Sequence, residues 1–357
     1  MTVTIIGGNF GDNPKQSSII NKMSSGFSLL KNDIQSITMY NGGNLDSLPE
    51  ILIDDLVIWM PNIDNENRKQ YPNKKNGTVM ICSKVMREGY TNVDAVSRIF
   101  KMHANAVIAI YDNNGIKEFK LIDALGNIWI KTTDISILIN AIIGFYYFTK
   151  KAVRINSKQL NSIIPPITNF ISDIEKITKF RYDLHEFIQI NNSLASYIQL
   201  TCGDRFFGNL STRCQKLFPT AKCETTLMHV SPRNSDKKYL EVEDFVPCYY
   251  INDNEIGYYG DKKPSVDSPV QLKIYNNFPD INFMIHEHAF IENTSETKNY
   301  CLCGDLNEYD EIKNLITSNV GGINLKNHGF LIYADTIENL KKYVFKLNFS
   351  YRRENDN

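Results

Sequence analysis

The chain has 357 residues, more than a usual single domain, so two domains are the starting expectation. Its 39 Lys and Arg against 40 Asp and Glu leave a formal net charge of −1, which gives no electrostatic case for nucleic acid or an anionic membrane as a partner. A hydrophobic content of 42% with 22% charged residues supplies substantial cores and excludes wholesale disorder. The most apolar stretch, residues 135–148, is interrupted by Ser136, Asn140 and Gly144 and falls short of the roughly 20 residues a spanning helix needs. The amino terminus lacks the basic segment and long apolar core of a secretory signal, so a cytoplasmic protein is expected. Seven cysteines without framework spacing read as free thiols of a reducing compartment.

Residues 2–6 form a short β-branched run that stops at Gly7-Gly8. A turn-rich stretch follows over 9–15, and Ser17-Ser18 opens a helical pattern carrying Ile19, Ile20 and Met23. Residues 36–40, 56–60 and 78–82 are further strand candidates, each short, mostly apolar and bounded by Gly, Pro, Asn or Asp, as buried strands of a parallel sheet are. Residues 92–103 place Val93, Val96, Ile99, Phe100 and His103 at helical spacing, and 106–111 is another strand. Asp112-Asn113-Asn114-Gly115 is a tight-turn sequence leading into 117–122, and Asp134 caps an apolar helix over 135–148. This alternation predicts a doubly wound, Rossmann- or flavodoxin-like α/β domain over residues 1–150.

Residues 151–166, with Pro165-Pro166, read as a linker to a second domain over 167–357. Helical patterns cover 167–180 and 184–199. Strands follow around 225–230 and 248–251, a helix over 268–278, and a strand over 281–285. A helix over 306–316, strands over 323–326 and 329–333, and a last helix over 336–351 complete the chain.

Three of the six histidines stand in settings that suit a metal. An apolar strand ends in His286-Glu287-His288, and because strand side chains alternate, both imidazoles point the same way. Two such rings can share a cation, or can simply face solvent. A second apolar segment is broken by Asn327-His328-Gly329, where the glycine lets backbone or substrate approach closely. Upstream, Pro264-Ser265-Val266-Asp267 places a carboxylate in a turn before a helix. Asp267 there is a helix N-cap, a metal ligand, or both. Three imidazoles and a carboxylate make a complete ligand set for a divalent transition metal.

The order Gly208-Asn209-Leu210-Ser211, Ser231-Pro232, Glu243-Asp244-Phe245-Val246, Pro264-Ser265-Val266-Asp267, His286-Glu287-His288 and Asn327-His328-Gly329 resembles the class II aldolase/adducin family. That family includes fuculose-phosphate and rhamnulose-phosphate aldolases and ribulose-phosphate 4-epimerase. The resemblance spans about residues 183–351. It implies an αβα domain around a mainly antiparallel sheet, assembled as a homotetramer, with zinc (manganese being the alternative) on His286, His288 and His328. It further implies a lyase that cleaves a sugar or sugar phosphate through a zinc-stabilised enediolate, with Asp267 as the catalytic proton shuttle. Asn209, Ser231, Arg233 and Ser265 fall where the family binds substrate.

Three departures qualify the resemblance. Asp267 stands where the family's aldolases carry Glu and its epimerases carry Asp, so a sugar-phosphate 4-epimerase is an alternative. Val266 replaces the second serine of phosphate-binding members, and Asn234, beside Arg233, replaces a loop glycine. The proton-donating tyrosine of the family is not placed; Tyr300 and Tyr351 are the candidates. Cys303-Gly304 reads as structural, Glu287 as a structural or interface carboxylate, and His103, His185 and His229 as packed or solvated. Two other readings stand beside the enzyme: an adducin-like binding or scaffold protein, and a nucleotide- or sugar-binding or transferase first domain with an aldolase-like oligomerisation half. For that first domain, Gly8, Asn9, Gly11, Lys15 and Ser17 form a strand–loop–helix layout that binds an anion or is a plain turn. The long polar stretch 61–75 is a candidate ligand-covering loop.

Overall fold

The computed structural model describes residues 1–7, 14–30, 33–42, 48–60, 73–160, 174–213, 227–252 and 255–351. The chain divides into two compact units, Met1–Lys151 and Ala152–Asn357.

The first unit runs β1 (Thr2–Gly7), α1 (Pro14–Leu29), β2 (Ser36–Asn41), β3 (Leu56–Met60), β4 (Val79–Val85), α2 (Asn92–Lys101), β5 (Ala106–Asn113), β6 (Ile116–Asp123), β7 (Ile128–Thr132) and α3 (Ile135–Lys151). Its seven strands form one sheet in the order β2-β1-β3-β4-β5-β6-β7. The first five pair in parallel, an order found in doubly wound sheets, and β6 and β7 add on antiparallel. The parallel strands are apolar because both faces are covered. α1 and α3 pack over Val3, Ile5, Ile58, Ile81 and Ile108. α2 packs against β4, β5 and β6 outside that cluster, over residues of the opposite parity such as Met80, Cys82 and Val107. The β5–β6 hairpin turns at Asn114 and Gly115, whose φ values of 54° and 87° suit a two-residue turn with both central residues left-handed. Asp134 caps α3 as its sequence predicts, its Oδ1 accepting from the Ser136 N–H at 2.7 Å. β7 is an addition to the strands read from sequence.

The second unit runs β8 (Asn156–Gln159), α4 (Ile174–Ile198), β9 (Thr201–Cys202), β10 (Arg205–Phe206), β11 (Asn209–Arg213), β12 (Leu227–Val230), β13 (Val246–Asn252), β14 (Glu255–Tyr258), α5 (Ser268–Asn277), β15 (Phe283–Glu287), β16 (Phe290–Ile291), α6 (Asn307–Ile312), β17 (Gly321–Leu325), β18 (Gly329–Ala334), α7 (Ile337–Val344) and β19 (Phe349–Ser350). The main sheet has eight strands in the order β17-β18-β15-β11-β12-β13-β14-β8. Every pair is antiparallel except β14 with β8. Thus part of the stretch read as a linker is an edge strand. The two helices read over 167–180 and 184–199 are one helix, α4, from Ile174 onward, and residues 167–173 lie outside the described residues. The last helix stops at Val344, and Phe349–Ser350 instead pairs with β16.

Alternation along β15 divides the layers. Phe283 and Ile285 join Phe330 and Ile332 beneath α4 and α7. Met284 joins Leu331 and Tyr333 beneath α5 and α6. The result is a mixed α/β unit with helices on both faces of a mainly antiparallel sheet. Among the described residues no helix is long and apolar enough to cross a membrane.

Two outcomes follow from this packing. His229 on β12 is 2% exposed, and burial lowers its pKa to about 4 from the ordinary 6.5. A histidine kept neutral in the fold stabilises it fully above pH 6.5, and that contribution drains away as pH falls toward 4. The span corresponds to about 3 kcal/mol. Urea unfolding of the second unit at several pH values is expected to show a shallower loss over that window in His229→Gln than in the parent; equal slopes would exclude the assignment. The second outcome contrasts two glycines. Gly260, at φ 89°, has open space where a β-carbon would go, so Gly260→Ala is expected to cost only about 1–2 kcal/mol. At Gly329, φ 151°, the same atom would lie 2.1 Å from the Glu287 carbonyl oxygen. Gly329→Ala is expected to exceed the ~3 kcal/mol at which most substitutions stop.

Candidate metal centre

β15 delivers His286 on the face shared with α5, and His288 follows one residue beyond the strand. β18 is the antiparallel neighbour of β15, and the residue before it is His328. Asn327 turns the chain with φ 56°, and Gly329 allows its backbone to lie against Glu287 and His288. The approach anticipated at this glycine is therefore one of backbone, and it brings the third histidine to the first two. Ring centroids are 5.1 Å apart for His286 and His288, 4.8 Å for His286 and His328, and 5.2 Å for His288 and His328. One ligand atom from each ring lies within 4.8 Å of the others, and all three residues are buried.

The outward nitrogens are anchored. His286 Nδ1 lies 2.8 Å from the Phe330 carbonyl oxygen, leaving Nε2 buried and without a partner. His328 Nδ1 lies 2.6 Å from Glu308 Oε1, leaving Nε2 toward the cluster. His288 Nδ1 is also buried and unpartnered, and the Phe207 ring packs 4.9 Å from this imidazole. Burial lowers the His286 pKa to about 4 and that of His288 well below its ordinary value. For His328 burial acts in the same sense, but Glu308 and Cys303 raise its pKa well above normal. His286 and His288, kept neutral by burial, each carry a buried nitrogen without a partner, and His286 and His328 are each oriented at Nδ1, features that suit imidazole ligands of a divalent transition metal.

Asp267 sits at the N-cap position of α5, yet its side chain makes no capping bond. It turns to the histidines, with Oδ2 3.8 Å from His286 Nε2. Three donors hold the carboxylate: the Gly304 N–H at 2.8 Å to Oδ1, and Asn209 Nδ2 at 3.0 Å and Ser265 Oγ at 3.4 Å to Oδ2. Gln271 Nε2 in turn donates to Asn209 Oδ1. Ser231 is fully buried, and its hydroxyl accepts from the Leu210 N–H at 3.1 Å, tying β12 to β11. Arg233 is exposed, within electrostatic reach of Asp267. Asn234 takes φ 61°, a left-handed conformation that asparagine tolerates.

Glu287 is fully buried on the opposite face of β15, its two oxygens without partners. Burial pushes its pKa up to about 8, opposed by the charge of Lys237. Gly208, at φ 81°, makes room for this carboxylate, since a β-carbon there would lie 2.2 Å from Oε2. Tyr300 is half-buried and Tyr351 is 47% exposed. Gly8, Asn9 and Gly11, the side chains of Lys15 and Ser17, and residues 61–72 lie outside the described residues.

Sequence reasoning missed two residues. Glu308 comes from α6, 20 positions before the histidine it contacts, and has no motif of its own. Cys303, read as structural, places Sγ 3.3 Å from His328 Nε2, and Asp267, Cys303 and His328 form a second group of potential ligands. The partner glycine does act structurally: Gly304 donates to Asp267 from a φ of 72°.

Residues 186–294 match the family described as Class II Aldolase and Adducin N-terminal domain. Among solved structures, the chain is similar to an L-fuculose 1-phosphate aldolase, at 20% identity over 45% of this chain and 79% of that one, with a TM-score of 0.34. It is similar to a sugar-phosphate aldolase from Thermotoga maritima, at 13% identity over 47% of this chain and 94% of the other, with a TM-score of 0.36. The N-terminal class II aldolase domain of a conserved protein from Thermoplasma acidophilum is similar at 15% identity over 44% and 87% of the two chains, with a TM-score of 0.31. No curated protein matched the chain. The matched segment, residues 186–294, includes Asn209, Ser231, Asp267, His286 and His288.

Proposed function

We propose that the second unit is a metal-dependent lyase that cleaves a carbon–carbon bond of a sugar or sugar phosphate. The observation that carries this reading is the convergence of three buried imidazoles beside a restrained carboxylate. A divalent ion held by His286, His288 and His328 would supply the Lewis acid that polarises a ketose carbonyl and its neighbouring hydroxyl. The remaining work falls to the chain. Asp267 takes the hydroxyl proton of the carbon that leaves as an aldehyde and gives it to the ketose-side carbon, which keeps the electron pair of the broken bond; Oδ2 is its oxygen on the His286 side. Asn209, Ser265 and the Gly304 N–H hold that carboxylate against rotation, so the proton is exchanged at one position. Glu308 and the Phe330 carbonyl fix two of the rings. Epimerisation of a sugar phosphate by cleavage and recombination of the same bond is the second reading, favoured by aspartate rather than glutamate at 267.

The test is a panel of ketoses and ketose phosphates incubated with zinc-loaded protein, followed for release of aldehyde and dihydroxyacetone or its phosphate. Inverted substrate without fragments would mark epimerisation. Asp267→Asn is expected to lower kcat by about 10²–10⁴-fold with zinc content unchanged. Full turnover by that variant would remove Asp267 from the chemistry. Glu308→Gln is expected to weaken zinc binding about 10–100-fold, measured by competition with a chromophoric chelator. An unaltered affinity would show that the Glu308 contact does not orient a ligand.

A further inference from the structure

We propose that the substrate is phosphorylated and that Arg205 and Arg233 together bind its phosphate beside the metal centre. The inference rests on the metal-dependent reading above and names the class of substrate that site takes. Arg205 opens β10, which pairs with β9 through Arg205 with Cys202 and Phe206 with Thr201. The Phe207 N–H donates to the Leu200 carbonyl at 3.2 Å, carrying the ladder one residue further. Side chains alternate along such a strand, so Arg205 and Phe207 share a face, and the Phe207 ring lies 4.9 Å from the His288 imidazole. Arg205, itself half-buried, is therefore on the side of the hairpin that meets the metal-binding histidines.

Arg233 arrives from a different segment that is stitched to the first. Asn234, left-handed at φ 61°, accepts from the Phe206 N–H at 2.9 Å through Oδ1 and donates from Nδ2 to the Asp204 carbonyl at 3.3 Å. One amide thus grips the backbone on both sides of Arg205 and brings the residue before it, Arg233, to the hairpin. The Arg233 N–H donates to the Lys263 carbonyl at 2.8 Å, and Pro232 bridges to Pro264, which ties the same segment to the turn carrying Ser265 and Asp267. The Arg233 side chain lies within electrostatic reach of both Arg205 and Asp267. Asp267 accepts its hydrogen bonds from Gly304, Asn209 and Ser265 instead.

Two guanidiniums held near each other repel, and an anion between them removes that cost while gaining charge-assisted hydrogen bonds. The planar fork of each matches two phosphate oxygens. A phosphate monoester, at about −1.5 to −2 near pH 7, balances two such cations, where a carboxylate balances one and a hydroxyl none. Val266, on the same turn as Asp267 and 38% exposed, has no donor to offer an anion. Energy gained at a phosphate remote from the reacting bond is available for orienting the carbonyl.

The test is calorimetric titration of the zinc-loaded, full-length protein with dihydroxyacetone phosphate, dihydroxyacetone and hydroxypyruvate. The parent is expected to bind the phosphate about 100-fold or more tighter than the neutral ketone, and Arg205→Gln and Arg233→Gln are each expected to cut that ratio about 10-fold or more. Equal affinity of the parent for the two ketones overturns the proposal without needing any variant to fold. So does a ratio that neither glutamine variant moves, and in both cases zinc-dependent binding of the ketones leaves the metal reading standing. Hydroxypyruvate bound as tightly as the phosphate replaces the phosphate with a carboxylate and overturns the substrate class. An arginine-dependent ratio in protein that takes up no zinc sustains the phosphate site and overturns the metal reading instead.

Discussion

At residue 329 the chain passes so close to the Glu287 carbonyl and the His288 α-carbon that no side chain fits between them. That approach couples β18 to the end of β15 and sets where His328 stands relative to His286 and His288. The hydrogen-bond ladder reinforces it, pairing Glu287 with Phe330 and His286 with Leu331. The Phe330 carbonyl then reaches His286 Nδ1 and orients that ring. Backbone packing at one glycine thus fixes both the separation of the imidazoles and the nitrogen one of them presents.

The strand that carries two histidines also carries a charge on its other face, and the two sides meet opposite conditions. His286 looks toward α5, whose first turn brings Asp267. Glu287 looks the other way, toward Lys237, with Gly208 shaped around its carboxylate. Lys237 is itself buried and contributes to lowering the pKa of both His286 and His288.

Much of this was legible in sequence because strand geometry is periodic. H-x-H at the end of an apolar run must put both rings on one face, and His-Gly at the start of another marks a close approach. Asp267 could be read both as a cap and as a site residue; its backbone occupies the cap position while its side chain makes no capping bond and turns toward His286. Other features had no such signature. β8 is a run of four exposed polar residues, and only pairing with β14 makes it a strand. The last helix was overextended because the apolar residues beyond Val344 continue a helical rhythm, although Phe349 pairs with Ile291. Glu308 and Cys303 act through contacts from segments with no periodic relation to the histidines, so only tertiary structure reveals them.

The order in which groups are restrained also bears on the chemistry. His286 and His328 are each held at Nδ1, and Asp267 is held by three donors, so neither ring nor carboxylate must reorganise much when charge develops nearby. An acid–base group that also served as a metal ligand would have to leave the ion before accepting a proton and return afterwards. Three donors keep Asp267 Oδ2 3.8 Å from His286 Nε2, so under the proposed chemistry the carboxylate would meet its proton without first being turned into place.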